Sequence, residues 1–292
     1  MDIAHLQSWI GAARKTTDLI TPRLANGLAA VLDDPCDLAD GDPAPAGIHW
    51  CLAPDIAPMS GLGPDGHPAR GGFLPPVPLP RRMWAGGELA FTDNFRVGDR
   101  VSRVSRIEDV RVKTGRTGTL CFVTVRHDYA TLRGPALSER HDIVYRALEA
   151  PAGGTPPEPD LPPVVTESHS VPATATLLVR YSEATLNGHR IHYDRDYCRD
   201  VEFYPGLVVH GPLQATFLLR LATRMGGGVP ARFSYRGTAP LFDGGSIHVN
   251  GAMADSGEAG GAGDPASLTL WIRSDAGSVT MLARTDAQGP AR

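Results

Sequence analysis

The sequence contains no uninterrupted apolar run near the ~18 residues that a membrane-spanning helix requires. A basic excess is missing as well. The 28 Lys and Arg residues against 32 Asp and Glu leave a formal net charge of -4, which excludes the positive face that nucleic acid needs. The N-terminal stretch MDIAHLQSWIGAARKTTDLI scatters its charges and lacks an apolar h-region, so no signal peptide is expected. Cysteine is scarce. Cys36, Cys51, Cys121 and Cys198 are far apart and form no CxxC pair, which argues against a disulfide framework and for free thiols in a reducing cytoplasm.

Glycine (33) and proline (26) are abundant, and they concentrate in three places. Residues 150–163, APAGGTPPEPDLPP, have no apolar periodicity and read as a linker that divides the chain nearly in half. Residues 255–265 read as a long hairpin loop. Residues 61–80 differ, because Phe73, Leu74, Val77 and Leu79 stand among the prolines. A solvated linker would not carry so many apolar groups, so this stretch is expected to pack against the body.

With 292 residues, the chain suffices for two domains of ordinary size. Residues 2–32 carry apolar groups at helical intervals, and Thr21-Pro22 reads as a helix N-cap followed by Pro at the first helical position. Residues 96–113, 119–130 and 138–148 alternate polar and apolar residues around turns at 113–118 and 132–135, a meander of antiparallel strands. In the second half, residues 173–185 read as a strand, 194–198 as a short helical turn and 207–225 as a helix stopped by Gly226-Gly227-Gly228. Strands at 231–240, 245–254 and 267–287 follow, the last interrupted by a turn at 274–277. The fold class expected is α+β, two tandem units of helix plus antiparallel sheet, over residues 1–150 and 164–292.

The chemistry concentrates between Tyr181 and Ala215, YSEATLNGHRIHYDRDYCRDVEFYPGLVVHGPLQA. His189, His192 and His210 lie here with Asn187, Asp194 and Asp196. A neutral imidazole exchanges protons near neutral pH. An amide orients water but is no base. The His210-Gly211 turn enters a helix, and the Gly211 N–H is expected to be an early unpaired donor, suited to a developing oxyanion. Asp194 suits a cap for the next turn or an orienting partner for His192. A metal reading would assemble His189, His192, Asp194 and His210, but the spacing matches no defensible ligand motif.

These residues resemble the MaoC-type (R)-specific enoyl-CoA hydratase family of hot-dog proteins. Its motif runs roughly S-G-D-x-N-P-I-H-x-D, followed by a His-Gly turn; here the segment reads T-L-N-G-H-R-I-H-Y-D. His192, Asp194 and His210-Gly211 match. The family's catalytic Asp falls on Asn187, its Asn on His189 and its Pro on Arg190. The pattern N-x-H-x-I-H-Y-D, with HWCLAP at 49–54, GPDGHPARGGFLPPVPLPRRMWAGGEL at 63–89 and DIVYR at 142–146, resembles the family's two-domain branch. That branch includes mesaconyl-CoA and itaconyl-CoA hydratases and mitochondrial 3-hydroxyacyl-thioester dehydratases.

The resemblance implies a tandem double hot-dog with a degenerate first domain and a catalytic second one. It implies reversible hydration of a 2-enoyl-CoA, with Asn187, His192 and Gly211 in catalysis and His189, Asp194 and His210 in support. Either His192 alone moves the proton, or His189 takes the role of the absent Asp. Arg190, Arg81 and Arg82 are the candidate substrate-binding cations, needed if the acyl group is a branched dicarboxylate. Coenzyme A enters as part of the substrate, and no metal or redox cofactor is implied. The expected assembly is a homodimer or a pseudo-dimeric monomer. The alternative is a non-catalytic hot-dog protein that binds acyl-carrier thioesters.

Overall fold

The computed structural model describes residues 1–115, 118–148, 159–162, 164–253 and 267–286. Its first half runs α1 (Ile3–Gln7), β1 (Ala13–Leu19), α2 (Pro22–Val31), β2 (Arg81–Phe91), β3 (Arg100–Gly115), β4 (Gly118–Thr131) and β5 (Gly134–Arg146). Its second half runs β6 (Glu167–Pro172), α3 (Ala175–Thr185), α4 (Arg195–Asp200), α5 (Gly211–Gly226), β7 (Arg232–Gly237), β8 (Ser246–Met253), β9 (Leu268–Arg273) and β10 (Val279–Thr285). Thr21 caps α2 through its side chain with Pro22 behind it, as expected, and Gly227 ends α5 in the left-handed conformation.

All ten strands form one antiparallel sheet in the order β1-β3-β4-β5-β2-β7-β10-β9-β8-β6. Counted from each half's first strand, both halves follow the same path, and their second strands, β2 and β7, meet at the seam. The two sheets expected from the sequence are therefore the two halves of a single one. The seam pairs Gly87 with Tyr235 and Leu89 with Phe233. The α+β class stands. The linker expected at 151–163 falls largely outside the described residues, as does the loop expected at 255–265.

Two strand and helix assignments are corrected. Residues 173–185 are not a strand. Thr174 caps a helix by accepting the Leu177 N–H, and the two buried side chains, Leu178 and Tyr181, are three residues apart, on one helical face. Residues 2–32 are not continuously helical either, since Ala13–Leu19 forms edge strand β1 with an alternating exposed and half-buried pattern. Strand β2 escaped sequence reading because Gly86-Gly87 looks like a break. A Cβ at Gly86 would lie 2.6 Å from the Tyr235 carbonyl oxygen, so the close approach at the seam requires the glycine.

Helix α5 is the core of the second half, with nine buried residues, and packs against β7–β10. Among the described residues, the first half has no such central helix. Its sheet face, with Ile107, Val110, Cys121, Val123 and Ile143, is covered instead by Leu6 of α1 and by Phe73, Leu74, Val77 and Leu79, as the apolar content of 61–80 required. Val77 is fully buried, and each such side chain contributes about 1.5–3 kcal/mol relative to exposure. The four cysteines are free, three of them buried. No described helix is long and apolar enough to cross a membrane.

Candidate active site

Helix α3 ends at Leu186, a left-handed residue, and the Asn187 N–H returns to the Ser182 carbonyl. That cap turns the chain out into the loop Asn187-Gly188-His189. A single 3-10 turn, Arg190–His192, follows, and Asp194 caps α4 by accepting the Tyr197 N–H. Val208 fixes the position of His192 from the other side. Its N–H donates to Ile191 O at 2.9 Å, and its carbonyl oxygen accepts from His192 Nδ1 at 2.7 Å. A carbonyl only accepts, so the His192 proton sits on Nδ1 and Nε2 keeps its lone pair.

His192 is buried, and burial pushes its pKa down to about 4 despite the bond to Val208. Its ring stacks on His210, which is fully buried and bonds Ser182 Oγ through Nε2 at 2.8 Å. His192 is thus a neutral base over the physiological range. Asn187 Oδ1 accepts the His189 N–H at 3.0 Å, so the NH₂ is the end of the amide left to donate.

Gly211 is the first residue of the 16-residue helix α5, and Pro212 behind it lacks an N–H. The Gly211 N–H has no acceptor within the helix and stands at the positive end of its dipole. Trp84 of β2 closes this spot. A Cβ on Gly211 would lie 2.7 Å from Trp84 Cε3, and Trp84 stacks on Tyr235 across the seam with ring centroids 4.4 Å apart. Asn187, His189, His192 and Gly211 line one cavity of about 1100 Å³ built from both halves of the chain.

The sequence profile of the family described as "Hydroxyacyl-thioester dehydratase type 2" matches residues 47–243. The chain is 42% identical to the mesaconyl-C(4)-CoA hydratase of Chloroflexus aurantiacus over 83% of its own length and 87% of the relative's. This chain belongs to the hydroxyacyl-thioester dehydratase type 2 family. Two solved structures carry the fold at lower identity. A MaoC-like dehydratase is 14% identical, with a TM-score of 0.74 and coverage of 97% of this chain and 99% of that one. A Mycobacterium tuberculosis protein with a double hot-dog fold is 16% identical, with a TM-score of 0.56 and coverage of 96% of each chain. The ten-stranded sheet is accordingly a double hot-dog.

Of the other expected site residues, Arg190, Asp194 and His210 lie outside the cavity lining, and Arg81 and Arg82 lie within it. Asp194 is tied to Arg190, whose Nε and Nη2 donate to its Oδ2 at 3.0 and 2.8 Å, while the guanidinium sits over Tyr197. Neither Arg190 nor Asp194 lines the cavity, and His210 stands behind His192. Arg81 lines it but is buried and paired with Glu202 at 2.8 Å. Arg82 lines it without a carboxylate partner among the described residues.

Sequence reasoning missed Asp65 and His67. Their loop docks directly on the loop Asn187-Gly188-His189 and on Arg190. The Arg190 N–H donates to Asp65 O at 2.9 Å and Arg190 Nη1 to Pro64 O at 3.1 Å, while Gly66 abuts Gly188. Asp65 Oδ2 holds His67 Nδ1 at 3.0 Å, and the His67 ring lies 4.2 Å from that of His189. The signal was present in the stretch GPDGHPARGG, but only its likeness to the family, not a role, was legible.

Asp65, His67 and His189 bring three potential ligand atoms within 4.8 Å of one another. Asp65 and His67 already bond each other. Burial, and in part the charge of Arg82, holds the His67 imidazole neutral. The set His189, His192, Asp194 and His210 does not converge, because Asp194 faces Arg190 and Tyr197.

Proposed function

We infer that this protein is a hydro-lyase that adds water reversibly across the α,β double bond of a 2-enoyl-CoA thioester. The observation that carries the reading is the pairing, in one cavity, of a neutral His192 with its Nε2 lone pair free and the Gly211 N–H at the start of α5. In hydration, the water oxygen bonds to the β-carbon as its proton passes to His192 Nε2. The π electrons move to the thioester carbonyl oxygen, which is stabilised by the Gly211 N–H and the helix dipole. The enolate carbonyl re-forms as the α-carbon takes a proton from His192, which returns to its neutral state. Water is oriented by the Asn187 NH₂.

The relative's name supports an acyl group that bears a second carboxylate, of the mesaconyl or itaconyl kind. Coenzyme A is the carrier, and the reaction calls on no metal or redox cofactor. Both halves of one chain wall the site, which supports a pseudo-dimeric monomer as the working unit. Free buried thiols support a cytoplasmic location. The test is incubation of the purified chain with crotonyl-CoA and mesaconyl-CoA. Loss of enoyl absorbance with formation of the 3-hydroxyacyl-CoA, seen by mass, is expected on at least one of them; absence of product on both would sink the reading.

A further inference from the structure

The cavity is lined by several arginines that differ in what neutralises them. Arg81 pairs with Glu202, and Arg14 pairs with Asp55. Arg103 donates to the carbonyls of Leu52 and Ala53. Arg82, next to Arg81 on β2, stands opposite Tyr145 and hydrogen-bonds to its side chain. No carboxylate oxygen among the described residues comes within ion-pair distance of it.

The position of Arg82 is marked by the groups that feel its charge. His67, His141 and His189 are all held below the ordinary imidazole range, first by burial and then in part by the Arg82 guanidinium; for His141 the value falls to about 3. The His67 ring lies 4.2 Å from that of His189, which lies 5.5 Å from that of His192. Arg82 is thus a cation on the wall of the cavity that holds these rings, without a carboxylate partner among the described residues. Arg146 also lines the cavity without a carboxylate partner among the described residues, but its charge is felt at Tyr204 and not at these histidines.

A half-buried charge left without a partner is costly, and a planar guanidinium fork fits a carboxylate in bidentate fashion. We propose that Arg82 is the anchor for a free carboxylate carried by the acyl group near its β-carbon, so that the substrate class is a dicarboxylic 2-enoyl-CoA. An anion there compensates Arg82 and lifts the unfavourable field from the neighbouring imidazoles. Arg81 and Arg190, each already paired, are not this anchor. A phosphate of coenzyme A is the other anion with the same chemistry. It is common to every acyl-CoA, which separates the two sources in the test.

The inference rests on the hydro-lyase reading for its enoyl substrate, but its test includes binding, which needs no turnover. Succinyl-CoA and butyryl-CoA have four-carbon acyl chains and differ in the terminal carboxylate. Isothermal titration of the whole chain is expected to show succinyl-CoA bound about 30-fold or more tightly than butyryl-CoA, with the preference lost in Arg82→Ala and partly kept in Arg82→Lys. In turnover, Arg82→Ala is expected to lower kcat/KM for mesaconyl-CoA about 100-fold while crotonyl-CoA changes less than about 3-fold.

Equal weakening of both ligands by Arg82→Ala would assign the residue to a coenzyme A phosphate and overturn the proposal. No preference in the wild type would overturn it too. Because both saturated ligands are unreactive, a chain that binds with the expected preference yet hydrates nothing would sink the hydro-lyase reading and leave the anchor standing. Should Arg82→Ala fail to fold, Arg82→Gln, which keeps the length and hydrogen bonding without the charge, gives the same comparison.

Discussion

The imidazole of His192 lies flat on that of His210, with centroids 3.5 Å apart and planes 17° apart. Two stacked rings in a buried site cannot both carry a proton, and each burial cost adds to the other. Burial, and behind it the charge His192 would carry, holds His210 neutral, and its bond to Ser182 fixes it against its neighbour.

A pH dependence follows. Activity that needs neutral His192 stays level through the neutral range and falls only as pH drops through about 4, where the folded His192 takes its proton. Stability has a wider window. The folded pKa lies below the ordinary value of 6.5 for His192, and for His49 and His141, each at about 3, mainly through burial. The unfolded chain therefore binds more protons below 6.5. The contribution of neutral burial is full above that pH and is lost as pH falls toward 4 and 3. Melting temperatures at pH 7, 5 and 4 should decline in that order; a flat series would contradict the buried neutral state.

Asn187→Asp tests which end of the amide works. Its Oδ1 is taken by the His189 N–H, so the free end is a donor. The acid replaces that donor with an ionised acceptor at neutral pH. Turnover should fall about 10-fold or more, with His192 still able to act as base. Full activity in the variant would mean that water is held by an acceptor, and that the amide end has been misassigned.

Gly66→Ala should disconnect the first-half loop from the catalytic one. Gly66 has φ +86, and a Cβ there would lie 2.0 Å from the Gly188 carbonyl oxygen. The strain falls on the loop 63–67, and the clash falls on Gly188 in the loop that bears His189. The expected result is a larger loss in kcat/KM than in melting temperature. A variant with wild-type kinetics would show that the docking of 63–67 on 187–190 does not matter to the site.

Much of this was legible in the sequence. His192 and His210-Gly211 stand in a motif whose spacing is local, and local spacing survives folding. The meander β3-β4-β5 declared itself by alternation and turn residues. The segment 173–185 did not, because Ala and Thr alternate there while its buried residues, Leu178 and Tyr181, follow a helical step. Strand β2 hid behind Gly86-Gly87, whose reason is a neighbour about 150 residues away, at Tyr235. Asp65 and His67 were likewise out of reach, since nothing at positions 63–67 announces that they touch residues 187–190. Among Arg81, Arg82 and Arg190, sequence could not choose; the choice depends on Glu202 and Asp194 having already claimed two of them.

The central claim is that His192 Nε2 is the proton-transferring group of a 2-enoyl-CoA hydro-lyase. The direct measurement is the initial rate of enoyl absorbance loss, under saturating substrate, for the wild type and for His192→Ala, with far-UV circular dichroism on both. The account predicts an unchanged fold and a turnover lowered by ~10²–10⁴, the usual worth of a positioned acid/base group. A folded His192→Ala variant that turns over at near the wild-type rate would contradict it.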